Sequence, residues 1–165
     1  MKALRSICIL LLIVSAGMSN VRAQVSKKDK KAAKVAAIKK KIESKHYTFT
    51  ADFVLPQRGG QHQLTETYYD LNVRPDSVIA YLPYFGEVYF DAPYNPTDYG
   101  VKFTSVKFEY KVTARKKGGW EIRIVPKDVK NMDYLQLNIS PDGYASLSVS
   151  STNRDFITYD GRIEE

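Results

Sequence analysis

The sequence predicts a mainly β fold: an antiparallel meander of about eight to nine short strands, closed as a barrel or as a two-layer sandwich, behind a Lys-rich N-terminal helix. Three observations predict it. From Tyr47 onward apolar residues recur at every second position. Glycine and proline turn signals separate these runs at short intervals. Between the runs there is no helical period, which argues against the helical crossovers that a parallel sheet requires.

The chain of 165 residues fits one domain, and its 44% hydrophobic content excludes a disordered chain. A single Cys excludes an internal disulfide framework and a Cys-based zinc site.

Residues 1–23 read as a secretory signal peptide. Lys2 and Arg5 form a charged start, Ile7–Ala16 an apolar core, and Val21-Arg22-Ala23 a small-residue cleavage site that makes Gln24 the mature N-terminus; an earlier cut after Gly17 is the alternative. The apolar run is about half of the roughly 20 residues that a membrane span needs, so no transmembrane span is expected after cleavage. Cys8 lies inside the apolar core, too early for a lipid-modified cysteine, and it leaves with the signal. The expected location is therefore periplasmic or secreted, without a lipid anchor.

Residues 24–45 read as a Lys-rich helix or linker. Ser26 with Asp29 resembles a capping box, and four alanines favour helix. Val35, Ile38 and Ile42 form a thin apolar stripe that would dock on the body. The segment 27–45 carries nine Lys against Asp29 and Glu43, whereas 46–165 holds thirteen basic and sixteen acidic residues. The formal +7 and pI near 9.3 thus belong to the signal and the helix. Nucleic-acid binding loses its footing, since no recognition motif accompanies the lysines. A weak contact of the helix with anionic lipid or glycan is the functional alternative to a solvated face.

Residues 46–165 form the β domain. Tyr47, Phe49, Ala51 and Phe53 alternate inward and Pro56 ends that strand. Thr67–Val73 and Val78–Leu82 flank a turn at Arg74–Ser77, and Glu87–Phe90 is expected as a further short strand before an irregular loop. A hairpin follows, with Val106, Phe108, Tyr110 and Val112 on one face, a turn at Lys116–Gly119, and Trp120, Ile122 and Ile124 returning on the core face. A second hairpin joins Tyr134–Ser140 to Tyr144–Ser150, and Phe156–Ile163 is the last strand.

Motifs for chemistry are missing. There is no nucleotide loop, no nucleophile elbow, no zinc or calcium pattern and no cofactor signature, and His46 and His62 read as surface histidines. Asn138-Ile139-Ser140 matches a glycosylation pattern by chance, inside a strand. The unusual feature is aromatic: seven Tyr or Phe fall within residues 81–99, around Pro83 and Gly86. Alternation cannot bury them all, so some are core and others offer rigid contact area for a sugar or peptide. The candidate ligand-binding residues are Tyr81, Tyr84, Phe85, Tyr89 and Tyr94, with Arg154 as the polar contact.

Several spaced motifs occur in order: Tyr47-Thr48-Phe49, Leu82-Pro83-Tyr84-Phe85-Gly86, Phe103-Thr104-Ser105, Gly143-Tyr144-Ala145-Ser146-Leu147 and Asn153-Arg154 with Tyr159-Asp160-Gly161. Together they resemble domain-of-unknown-function family 4251, small exported proteins of Gram-negative gut bacteria, over about residues 45–163. The resemblance implies export and a compact domain and supplies no catalytic residue. Relatives often look like lipoproteins, from which this chain departs at Cys8. The resulting expectation is a non-enzymatic envelope protein that binds a ligand or partner at the aromatic corner. The alternatives are a carboxylate-dependent hydrolase of envelope glycan or peptide and a structural or assembly subunit.

Overall fold

The computed structural model describes residues 27–95 and 99–164. The expected signal segment 1–23 lies outside these residues. Lys31–Glu165 forms one compact unit; of the other, Met1–Lys30, only the first turn of a helix is described.

Helix α1 (Lys27–Ser44) follows from its alanine content and single apolar stripe. Ile38 and Ile42 are buried in the core, while Val35 is half-buried. The stripe therefore docks as expected, and most of the lysines face solvent. Lys45 (φ 50°) ends the helix in the left-handed region, where His46 N donates to the Lys41 carbonyl at 3.1 Å. No helix among the described residues is long and apolar enough to cross a membrane.

The strands are β1 (Tyr47–Pro56), β2 (His62–Gln63), β3 (Asp70–Val73), β4 (Val78–Leu82), β5 (Val101–Ser105), β6 (Phe108–Ala114), β7 (Trp120–Pro126), β8 (Met132–Ile139), β9 (Tyr144–Ser151) and β10 (Ile157–Ile163). They form one antiparallel sheet in the order β5-β4-β3-β1-β10-β9-β8-β7-β6, with β2 pairing β1. The sheet is a nearly closed barrel, which decides between the two architectures that the sequence allowed. The closing device is a bend. β5 and β6 run in the same direction, two residues apart, the first bonded to β4 and the second to β7. Asp128 holds the bend: its carboxylate accepts from the Ser105 hydroxyl and from the backbone N–H groups of Val106 (2.9 Å) and Lys107 (3.1 Å). The Ser105 bond, followed by the backbone donors, keeps that carboxyl below the usual carboxylate range.

The expected alternation is realised in β7, β8, β9 and β10, where Ile122, Ile124, Leu135, Leu137, Ile139, Leu147, Val149, Ile157 and Tyr159 are buried. Four expectations need correction. In β1 the register shifts between Ala51 and Phe53, so that Val54 fills the interior and Phe53 turns to the outer face. The expected strand Glu87–Phe90 reduces to a single bridge, Val88 to Arg154, with backbone bonds only from Tyr89 N–H to Asn153 and from Asp155 N–H to Glu87, because side chains take the Glu87 N–H and the Phe90 carbonyl. The strand ending at Val73 begins at Asp70 and not at Thr67. Val106 is exposed at the bend and Val112 is 41% exposed, because β6 is an edge where only Phe108 and Tyr110 pack inward. β2 and β5 are additional strands: β2 is too short to show a period, and in β5 the inward Ser105 interrupts the apolar alternation.

The helix and the barrel meet at a tyrosine pair. The hydroxyls of Tyr47 and Tyr110 lie 3.1 Å apart, and the Tyr110 hydroxyl donates to the Ile42 carbonyl at 3.3 Å. Lys45 sits 5.1 Å from the Tyr110 ring centroid. Burial raises the pKa of Tyr47 and pushes Tyr110 up to about 12.

Candidate functional site

The aromatic corner follows β4. Its backbone is fixed by Pro83 and by Gly86, where a Cβ would come 2.7 Å from the Tyr84 hydroxyl. Side chains of residues 153–159 stitch the corner to the barrel. The buried Tyr159 hydroxyl donates to the Pro83 carbonyl at 2.6 Å. The Tyr84 hydroxyl lies 3.0 Å from the carbonyls of both Glu87 and Asp155. Asp155, itself buried, accepts from the Glu87 N–H at 3.2 Å and from the Tyr89 hydroxyl. Asn153 donates to the Phe90 carbonyl at 3.1 Å. The Tyr89 hydroxyl, then the Glu87 N–H, hold the Asp155 carboxyl below its ordinary range.

This places the six candidate residues. Tyr84 and Tyr89 commit their hydroxyls to the corner itself. Phe85 is 41% exposed and stacks on His62, with centroids 5.1 Å apart. Tyr94 is fully exposed. Tyr81 lies on the outer wall, stacked on Tyr69 at 6.1 Å and tilted against Tyr68 at 5.8 Å. Arg154 does not pair with Asp155. Its guanidinium donates to the Tyr99 carbonyl at 2.8 Å and lies 5.0 Å from the Tyr84 ring centroid.

Arg154 lines a cleft of about 460 Å³ between the first half of the bent strand and the turns β7–β8 and β9–β10. Lys102 reaches the same cleft from β5, and its ammonium stands 5.1 Å from the Tyr81 ring centroid. Two of the predicted tyrosines thus each hold a cation at one opening. On the far side Lys130 pairs with Asp91 at 2.7 Å, and Asn131 donates to Asp91 at 3.1 Å. Asp91 and Asn131 both adopt positive φ, 54° and 60°, which Asp and Asn tolerate best among non-glycines. The Lys130 bond, then Asn131, keep the Asp91 carboxyl ionised below its usual range. The arrangement sets Lys102 and Arg154 across from a carboxylate that Lys130 and Asn131 already neutralise. Chemically it suits recognition of an anion. Sequence reasoning missed Lys102, Lys130 and Asn131, since only the barrel topology brings them to Arg154. Among the described residues no group of three or more His, Cys, Asp or Glu is placed to hold a metal ion.

Burial governs the tyrosine chemistry of the corner. It pushes Tyr84 up to about 12, with the nearby Asp155 charge adding to the shift, and it raises Tyr159 further. A folded pKa above the unfolded value of about 10 means that the stabilisation is complete below pH 10 and is lost as pH rises through about 12. Phenolate absorbance followed against pH should therefore show Tyr47, Tyr84, Tyr110 and Tyr159 still protonated at about pH 11, ionising together with loss of the β-sheet signal. All tyrosines titrating in one step near pH 10 with the sheet signal intact would contradict the packing described.

The fold is shared with a solved protein. The crystal structure of a DUF4251 family protein from Bacteroides eggerthii superposes with a TM-score of 0.60 at 14% identity, over 81% of this chain and 90% of that one. At that identity the likeness concerns the fold alone. No curated protein matches the chain. The profile of the domain-of-unknown-function family DUF4251 matches residues 29–163, so that all of α1 but its first two residues and the whole barrel fall inside it, and the chain belongs to that family.

Proposed function

We propose that the protein is an exported, non-enzymatic binding module of the cell envelope, and that its ligand presents a carboxylate or similar anionic group to the cleft at Arg154. The observation that carries this reading is the pair of cations held over tyrosine rings at one cleft, Lys102 at Tyr81 and Arg154 at Tyr84. A guanidinium already fixed by a carbonyl and an aromatic face loses little freedom on meeting a carboxylate. Export rests on the tripartite pattern of residues 1–23. The hydrolase alternative finds little support in this cleft, where Asp91 is the single carboxylate among the described residues and is held ionised, whereas carboxylate hydrolysis needs an acid and a base.

Titration calorimetry with soluble peptidoglycan fragments and with oligogalacturonate tests the reading. Binding of at least one probe is expected, weakened about 10- to 100-fold by Arg154→Ala, the loss of one charge-assisted contact. Arg154→Lys should fall between, retaining charge without the planar fork. Absence of binding by both probes, or binding indifferent to Arg154→Ala, would overturn it.

A further inference from the structure

A second concavity, on the outer wall of the barrel, is built differently. Its floor is a row across four strands: Phe53, Asp160, Ser146 and Asn138 are successive register partners on β1, β10, β9 and β8. Their outward direction follows from the inward burial of Val54, Tyr159, Leu147 and Ile139, the next residues along each strand. Tyr144, 71% exposed, and Arg115 from the β6–β7 turn rise beside this row, and the cleft encloses about 490 Å³.

Two features separate it from ordinary sheet surface. First, an aromatic ring is turned out of the core to reach it. Continued alternation from Tyr47, Phe49 and Ala51 would bury Phe53; the bulge reverses that and costs the core an aromatic side chain. Bulges recur where a side chain is re-aimed beside a site. Second, its polar groups are unspent. At the aromatic corner the polar heads are consumed by internal hydrogen bonds. Here, among the described residues, the side chains of Arg115, Asn138 and Asp160 make no hydrogen bond or ion pair, and the Oγ of Ser140 at the rim is buried without a partner. Asp52 is already met by Arg162 at 3.4 Å, and Asp160 shares the cleft with Arg115, so the formal charge is balanced.

We propose that this cleft binds a neutral hexose unit of a glycan. Sugar rings present an apolar C–H face and an equatorial rim of hydroxyls. Phe53 and Tyr144 offer flat faces for the first, and a carboxylate, an amide and a guanidinium offer acceptors and donors for the second. Balanced charge disfavours an ionic ligand, which separates this site from the cationic cleft at Arg154. Placement on four paired strands keeps the groups rigid.

Electrophoresis in native gels containing a neutral polysaccharide (glucan, mannan, galactan or xylan) tests the proposal. At least one should retard the protein, and Tyr144→Ala and Asp160→Asn should each weaken the apparent affinity by about tenfold or more. Tyr144 is too exposed for its removal to unfold the barrel. Retardation by none of the four polysaccharides, or retardation that survives both substitutions, would overturn the assignment.

Discussion

Gly161→Ala is expected to destabilise the protein by about 3 kcal/mol or more, lowering the melting temperature by about 10 °C. Gly161 sits opposite Ala51 on one side and Ala145 on the other, in the middle of the β1–β10–β9 ladder. An added Cβ would stand 1.9 Å from the Thr50 carbonyl oxygen, 2.9 Å from its carbon and 3.0 Å from the Ala51 Cα. All three obstacles are backbone, so no rotamer change relieves them. Either β1 separates from β10 or the bulge is lost and Phe53 is re-aimed. Gly60→Ala is the matched control: nothing lies within 4 Å of its Cβ, and a change within about 0.5 kcal/mol is expected. Thermal melts of the two variants decide the matter. Equal melting temperatures would show that the close approach of the two strands is not a constraint.

Ile42→Ala should cost about 2–5 kcal/mol, the range for deleting a buried aliphatic side chain where the surroundings relax only in part. Ile42 is 1% exposed and shares the core with Ile38 from the same helix. Its carbonyl also receives the Tyr110 hydroxyl, so the helix end and the β6 edge are fixed through one residue. The Lys41 ammonium donates to the Glu164 carbonyl nearby. The expected result is one cooperative transition, displaced downward, in which helix and sheet signals fall together. Val35→Ala, at a half-buried position, should shift it far less. A barrel that melts at the parental temperature after Ile42→Ala, with only the helical signal lost, would reduce α1 to an appended arm.

Those two residues also mark how far the fold could be read in advance. Ile42 was legible, because a three-to-four-residue spacing among lysines leaves one face to bury. The hairpins were legible for the same reason in a period of two. The bulge at Ala51–Phe53 was not, since Phe53 continues the alternation on paper and only the partner strand, through Gly161, shows where the chain slips. β5 escaped because Ser105, a polar residue, occupies an inward position that Asp128, distant in sequence, makes tolerable. The candidate site divided similarly. The tyrosine excess singled out one corner, yet composition cannot tell a hydroxyl offered to a ligand from one spent on Asp155 or on Pro83. The cations at positions 102, 130 and 154 are neighbours only through topology.

The strand order has a consequence in time as well as in space. β10, the last strand made, lies between β1 and β9, and without it the sheet falls into two meanders, β1-β3-β4-β5 and β6-β7-β8-β9, each with an open edge. The bond from the Thr50 hydroxyl to the Glu164 carboxylate spans 114 residues of chain. Contacts so distant form late, after the entropy of closing a long loop has been met. A growing chain therefore has no complete barrel to form until β10 has emerged. The strand that joins the two halves is thus also the last of the ten in chain order.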